Sequence, residues 1–354
     1  MSRTKLSSSP INSNPAARPP TCWQVAAGSG DRGYADMFLR YGLAFVGGED
    51  NIRRMGDVRA GDRIVLKHGK TAIAAVGMVT ERDGRCGGHL DKAWLRDFDG
   101  WDLPAYCFVR WHVPPAPIEV AGLTRTTINK VQVPEILAVT DRLLKSLPPT
   151  TATLTEPAPT RQVTDDEILE FLIRHGLRPA DADDLTAALR RIRLMARYYY
   201  KECDWDDVRE HETRTFLILP LLLALGWPEQ RLKVELGVPG QGRIDVAGFA
   251  RPYRRDDTGQ ANNQDCVLIL ESKGFHSGLD GATPQAHRYA EQFPSCNAVV
   301  VSNGFCYKVF SRKGGTFSPT PSAYLNLLNP QDAYPLDPVN VKGCLAVLEI
   351  LMPG

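Results

Sequence analysis

Little in this chain is present in excess, and several kinds of protein are excluded by what is missing. The eight cysteines (Cys22, Cys86, Cys107, Cys203, Cys266, Cys296, Cys306 and Cys344) form no Cys-x-x-Cys pair and have no nearby histidine at zinc spacing. A zinc module is therefore excluded, and reduced thiols in a cytoplasmic protein are expected. Neither sign of charge dominates: 42 basic against 41 acidic residues leave +1, so any nucleic-acid contact must come from local basic patches. The longest apolar stretch, Phe216 to Trp227, is too short to span a bilayer and contains Pro220, so no membrane role is expected. No apolar segment follows Arg3 and Lys5; residues 1–20, rich in Ser, Pro and Asn, read as a disordered leader rather than a signal peptide. The phosphate-cradling pattern Gly-x-x-x-x-Gly-Lys-Ser/Thr is absent, and no nucleotide cofactor is expected.

What is present is the composition of a folded, multidomain protein: 354 residues, 43% apolar and 23% charged. The expected architecture is α/β plus a β-barrel. Residues 21–145 hold short strands separated by Gly-rich or Asp-rich turns, with one short helix near Tyr34 to Tyr41, which suggests a small barrel. Residues 146–162, rich in Pro and Thr, read as an extended linker. A helical connector follows over 163–209. It opens on the capping box Thr164-Asp165-Asp166-Glu167, and a second helix runs from about Ala182 to Lys201. That helix sets Arg190, Arg193, Arg197 and Lys201 on one stripe, either a solvated face or a contact for DNA phosphates. Residues 210–354 alternate helix, strands, helix and strands, as a mixed sheet flanked by helices does.

The chemistry is concentrated in two segments, Gly242-Arg243-Ile244-Asp245-Val246 and Val267-Leu268-Ile269-Leu270-Glu271-Ser272-Lys273. In an extended strand Glu271 and Lys273 share a face and Ser272 points away. An acid beside a base in an apolar run is costly to bury unless the charges meet a metal ion or each other. Metal-dependent phosphodiester hydrolysis needs anionic oxygen ligands and a group that positions the attacking water. Asp245 and Glu271 suit the first role, with the backbone carbonyl of Ser272 as a third oxygen, and Lys273 suits the second. Mg²⁺ or Mn²⁺ is the expected ion.

Beyond these, Glu212-Thr213-Arg214, Leu219-Pro220-Leu221-Leu222, Leu225-Gly226-Trp227, Glu235, Gln285-x-x-x-Tyr289 and Ser302-Asn303-Gly304 fall in one order along residues 210 to 310. In that order they resemble the PD-(D/E)xK nuclease superfamily, and within it the N-terminal nuclease domain of type I restriction enzyme R subunits. The resemblance implies that Asp245 and Glu271 bind metal and Lys273 is catalytic, that Glu212 supports the site from the first helix, and that Gln285 reaches toward it. Gln285 and Tyr289, one turn apart, also suit packing and capping. The sequence departs from the pattern by a polar insertion, Arg251 to Gln264, and by the lack of a following helicase motor, so ATP-driven translocation is not expected.

The N-terminal segments Trp23 to Gly28, Gly30 to Tyr34, Phe45 to Gly47, Gly61 to Leu66 and Ala74 to Gly77 resemble a PUA-like domain, with the EVE type nearest. That resemblance implies a reader of nucleic acid that holds a modified, flipped base among aromatic side chains. Trp23, Tyr34, Trp101 and Trp111 are the candidate pocket, with Ser29 and Asp102 as edge readers; Trp111, inside an apolar strand, also suits the core. Arg32, Arg53, Arg54, Arg82 and Arg85 are candidate phosphate contacts. Together the two resemblances lead us to expect a cytoplasmic, modification-dependent DNA restriction endonuclease acting as a homodimer. The alternatives are a nuclease for RNA, repair intermediates or unmodified DNA, and a catalytically inactive reader or scaffold.

Overall fold

The computed structural model describes residues 18–28, 33–202, 207–254 and 263–354. Ser29, Arg32 and Cys203, named above, lie outside them. Two sheets organise the chain.

The first is built from β1 (Cys22–Ala26), β2 (Leu43–Val46), β3 (Arg63–His68), β4 (Ala72–Val79), β5 (Gly87–His89), β6 (Ala105–His112), β7 (Ile118–Glu119) and β8 (Ile128–Lys130). Its order is β2-β6-β4-β3-β1-β8, with β5 beside β6 and β7 beside β4. The small barrel expected from the strand pattern is realised as a curled half-barrel sheet. One of its cores is rich in aromatic rings, among them Phe38, Phe45, Trp94 and Phe98. Three helices accompany it: α1 (Ala35–Tyr41), α2 (Glu49–Met55) and α3 (Pro134–Ser146).

The second half begins with α4 (Asp165–Arg174), where the expected capping box forms: Thr164 Oγ1 accepts from the Glu167 amide at 3.2 Å and Glu167 accepts from the Thr164 amide at 2.8 Å. α5 (Ala182–Glu202) buries Leu185, Leu189, Ile192, Ala196 and Tyr199. α6 (Glu210–Thr213) and α7 (Leu219–Ala224) follow, joined by a π-helical turn, Arg214–Ile218. Pro220 has no N–H for the Phe216 carbonyl, and the widened turn lies just before it. The sheet comprises β9 (Leu232–Val238), β10 (Gly242–Phe249), β11 (Cys266–Ser272), β12 (Ala298–Ser302), β13 (Cys306–Lys313), β14 (Thr316–Phe317) and β15 (Ala323–Asn326). Its order is β14-β13-β12-β11-β10-β9, with β15 beside β13; β11 and β12 are parallel and their neighbours antiparallel. β12 reads Ala-Val-Val-Val-Ser and is buried throughout, as a strand covered on both faces must be. α8 (Thr283–Ala290) and α9 (Cys344–Leu351) complete the half. A single core runs from Val163 to Leu351, so the segment read as a connector packs into the second sheet's own core.

The stretch between the halves has no regular secondary structure over 148–161, yet it is pinned along its length. Thr150 N donates to Trp111 O at 2.7 Å, Thr153 N to Arg40 O at 2.8 Å, Arg161 N to Asp332 Oδ1 at 2.8 Å, and Val163 N to Pro330 O at 3.0 Å. It is a strap laid across both halves.

A polar seam joins them directly. Asp97, fully buried, accepts at Oδ1 from Tyr324 Oη (2.8 Å), Asn326 Nδ2 (3.0 Å) and Gly100 N (3.0 Å). Burial lifts its carboxyl to about 6 even against these donors. Beside it, buried Lys308 donates to Asp99 and Asp280, both at 2.7 Å, and Tyr334 donates to Asp99 at 2.9 Å. The turn that carries the two aspartates requires Gly100: its φ is +87°, and a Cβ there would stand 2.5 Å from Cys306 Sγ. We predict that Lys308→Met lowers stability by about 3 kcal/mol in urea unfolding, because Asp99 loses its cation at the seam and keeps the Tyr334 hydroxyl as donor. An unchanged midpoint would mean the seam does not hold the halves together.

Candidate active site

In the β10–β11 pairing, Val246 faces Leu270 and Ala247 faces Ile269. One residue further, the same register sets Asp245 beside Glu271, where the sheet opens at its end. Glu271 is 3% exposed. Its Oε1 accepts from Lys273 Nζ at 3.3 Å, and its Oε2 is buried with no hydrogen-bond partner among the described residues. Burial first, then the charge of Asp245, raise the Glu271 carboxyl to about 7; Lys273 offsets part of the rise. Lys273 is subject to the opposite balance: burial lowers its pKa, but Glu271 and Glu210 outweigh it and hold the ammonium above its ordinary range.

Asp245 is closely held. Ser272 donates to its Oδ2 through both the backbone amide and Oγ, each at 2.7 Å. Arg214 donates to Oδ1 through Nη1 and to Glu235 Oε1 through Nη2 at 2.8 Å, while Arg243 reaches Glu235 Oε2 at 3.3 Å. The Arg214 side chain is only 7% exposed, a buried cation forked between two carboxylates. Glu235 takes a φ of +52°, a strained setting for a non-glycine residue that costs about 1–3 kcal/mol. Its two guanidinium contacts offset that strain.

These residues fit a hard divalent cation. A buried carboxylate oxygen without a donor, next to a second carboxylate, is the donor chemistry such an ion takes. Among the described residues no three His, Cys, Asp or Glu side chains are grouped to hold a metal. Two carboxylates would therefore share the ion with backbone, water or phosphate oxygens. Of the other residues expected here, Ser272 meets Asp245 through its amide and hydroxyl. Glu212 caps its own helix, its Oε2 accepting from the Arg209 amide at 3.1 Å, and it is Glu210 that reaches Lys273, at 3.2 Å. Gln285 donates to Tyr289 Oη at 2.8 Å, and that hydroxyl lies 2.8 Å from where a Cβ on Gly242 would be; the pair abuts the start of β10 rather than the carboxylates. Glu210 was not singled out from sequence, and Arg214 stood in the Glu212-Thr213-Arg214 motif with no role read for it. Their four-residue spacing was the available signal, since it puts both on one helix face.

The candidate base pocket divides. Trp23 and Trp111 are each 1% exposed and belong to the core: Trp23 Nε1 donates to Asp62 at 3.0 Å, and Trp111 Nε1 to the carbonyls of Phe38 and Leu43 at 3.0 and 3.3 Å. Tyr34, Trp101 and Asp102 line a cleft of about 900 Å³ between the halves. The two rings meet edge to face at 6.2 Å, with Tyr34 stacked on Phe45 at 5.6 Å. Asp102 is already paired with Arg96 at 2.7 Å.

The basic stripe of α5 also divides. Arg193 is turned inward, to Leu327 O at 2.8 Å and Asp165 at 2.6 Å. Arg197 and Lys201 line a second cleft of about 510 Å³ that shares Asp102 and Tyr200 with the first, and Arg190 is exposed elsewhere on the helix. Of the other candidate phosphate contacts, Arg53 and Arg54 lie in α2 and pair with Asp50 and Ile128 O, Arg82 covers Phe108, and Arg85 pairs with Asp91.

No protein-family model, curated protein or solved structure matches the chain. Among the described residues no helix is long and apolar enough to cross a membrane, and the described cysteines are free thiols.

Two measurements follow. A Glu271 carboxyl that keeps its proton up to about pH 7, against 4.5 for the ordinary group, favours the folded state fully below about 4.5 and loses that contribution as pH rises through about 7. Urea unfolding should show this loss, about 3 kcal/mol, in the metal-free protein, and Glu271→Gln should remove it. Arg214→Met should destabilise the metal-free protein by about 3 kcal/mol and enlarge the thermal stabilisation given by Mn²⁺, since a cation then replaces the lost guanidinium. A stabilisation by Mn²⁺ no larger than that of the wild type would contradict this.

Proposed function

We propose that this protein is a metal-dependent endodeoxyribonuclease that cuts DNA after a modified base has been read by its N-terminal half. The observation that carries the reading is the Glu271 carboxyl beside Asp245, with Oε1 on Lys273 and Oε2 buried and orphaned. That arrangement is costly for a folded protein unless chemistry uses it.

Held by Asp245 and Glu271, a Mg²⁺ or Mn²⁺ ion would polarise a phosphodiester oxygen and lower the pKa of a bound water. Lys273, fixed by Glu271 and Glu210, is placed to orient the attacking water and to offset negative charge gathering on the phosphorus oxygens. Arg214 keeps the Asp245 carboxylate in place. Ser272 fixes the rotation of that carboxylate through two donors. Tyr34 and Trp101 offer ring surfaces for a base, and Arg197 and Lys201 offer cations for backbone phosphates. A single nuclease site cuts one strand, so a double-strand break calls for two protomers or two visits.

One observation favours a second reading, a binding module without catalysis: Arg214 already neutralises Asp245, so the acidic pair is partly satisfied without a metal. Cleavage assays separate the two. Asp245→Asn, Glu271→Gln and Lys273→Ala should each lower single-turnover cleavage of modified DNA by about 100-fold or more while leaving DNA binding within a few-fold. Matched methylated and plain duplexes, with an RNA control, define the substrate. If Lys273→Ala cuts at the wild-type rate, the catalytic assignment is wrong.

A further inference from the structure

The larger cleft is not a property of the N-terminal half alone. Tyr34, Trp101, Lys67, Lys70 and Arg125 line it from the first half; from the second come Tyr200 of α5 and a wall formed by His276-Ser277-Gly278. That wall begins three residues after Lys273. The loop between is tight and fastened: Phe275 N donates to Val208 O at 3.1 Å, Ser277 N to Gly274 O at 2.8 Å, and Asn303 Nδ2 to Ser277 O at 3.2 Å. At its far end Asp280 is one of the two carboxylates on Lys308 in the seam between the halves. A stretch of eight residues, 273–280, thus begins at the candidate catalytic lysine, forms a wall of the cleft, and ends at the seam.

The chemistry of the cleft specifies its ligand class. Lys67, which donates to Thr124 O at 2.5 Å, Lys70 and Arg125 line it, and among the described residues its one carboxylate, Asp102, is paired with Arg96. Burial, and then the nearby Lys70, lower the pKa of Lys67, so the wall gains from an anion. Two aromatic rings set edge to face beside these cations suit a planar heteroaromatic group carrying a phosphate, which is a nucleotide of a nucleic-acid strand.

We propose that a nucleotide lodged in this cleft bears on the loop 274–278 and thereby sets the position of Lys273, so that recognition in the cleft switches on cleavage at the sheet end. The proposal rests on the nuclease reading for its outcome, but not for its binding step. Among the described residues the loop joins the two sites through packed, hydrogen-bonded chain, which gives a displacement of the loop a short route to Lys273.

The test uses the full chain with a short duplex carrying one methylated cytosine, its methylated-adenine and plain counterparts, and Ca²⁺ to allow binding without cutting. Hydrogen exchange on the wild type should show the peptide covering 274–279 protected by at least one duplex, together with the peptides around Lys70 and Arg125. Arg125→Glu should weaken that binding about tenfold and remove the loop protection. His276→Ala should bind within a few-fold yet, with Mg²⁺ at saturating protein, cut about tenfold more slowly. Protection of the Lys70 and Arg125 peptides without the loop, binding untouched by Arg125→Glu, absence of binding to every duplex, or full-speed cutting by His276→Ala would each overturn the proposal. If loop protection occurs but the wild type cuts nothing with Mg²⁺ or Mn²⁺, the nuclease reading fails while the linkage between cleft and loop stands. Because the exchange experiment needs no variant, a substitution that misfolds does not remove the test.

Discussion

The constraint on which the rest of this structure depends is the burial of the Glu271 carboxylate at the end of an apolar strand. An ionised oxygen without a donor is costly in such surroundings, and burial accordingly raises the Glu271 carboxyl to about 7. The neighbourhood is organised around that cost. Lys273 lies two residues on and on the same side, Glu210 anchors the lysine, and Asp245 sits one register step past the last paired residues. The Asp245 carboxylate would add repulsion, and Arg214 and Ser272 restrain it. The π-helical turn that begins at Arg214 and the unusual backbone of Glu235 are local distortions at the groups that hold this acidic pair. A cation between the two carboxylates would relieve the repulsion that the protein otherwise manages through Arg214.

The seam of Asp97 and Asp99 with Lys308, Tyr324, Asn326 and Tyr334 gives the two halves a fixed relation. Buried charge-assisted contacts are sensitive to small displacements, since each partner left alone carries its full desolvation cost. The strap over 148–161 adds backbone bonds to both halves. Such a junction suits a protein in which one half must report to the other, because motion at the cleft is not absorbed by a slack tether.

The central strands of the second half were legible from sequence, whereas β14 and β15 were not. The runs Gly242–Phe249, Cys266–Ser272 and Ala298–Ser302 are apolar, bounded by turns, and form strands because β-branched side chains suit a covered sheet. The capping box at Thr164 was equally readable, because its signal is local. α2 and α3 were missed: α3 runs thirteen residues from Pro134, and its face is decided by packing against the first sheet. The site was legible in its acids and lysine but not in its supports. Glu212 and Glu210 have the same side chain, and only the turn of α6 decides which one reaches Lys273. Trp23 and Trp111 could not be told from Tyr34 and Trp101 by residue type, because the distinction is one of depth: the first two are buried in the core against which the other two pack, partly buried. The wall contributed by His276 and Ser277 had no sequence signal, since it exists only once the halves meet.

The central claim is that Asp245 and Glu271 converge on one divalent cation. The most direct measurement is an anomalous difference map from crystals of the full chain soaked in Mn²⁺. The account predicts a single strong peak within bonding distance of Asp245 and Glu271, with the Arg214 guanidinium drawn away from Asp245. A map with no peak there, or with Mn²⁺ bound only at other carboxylates while Arg214 stays on Asp245, would contradict it.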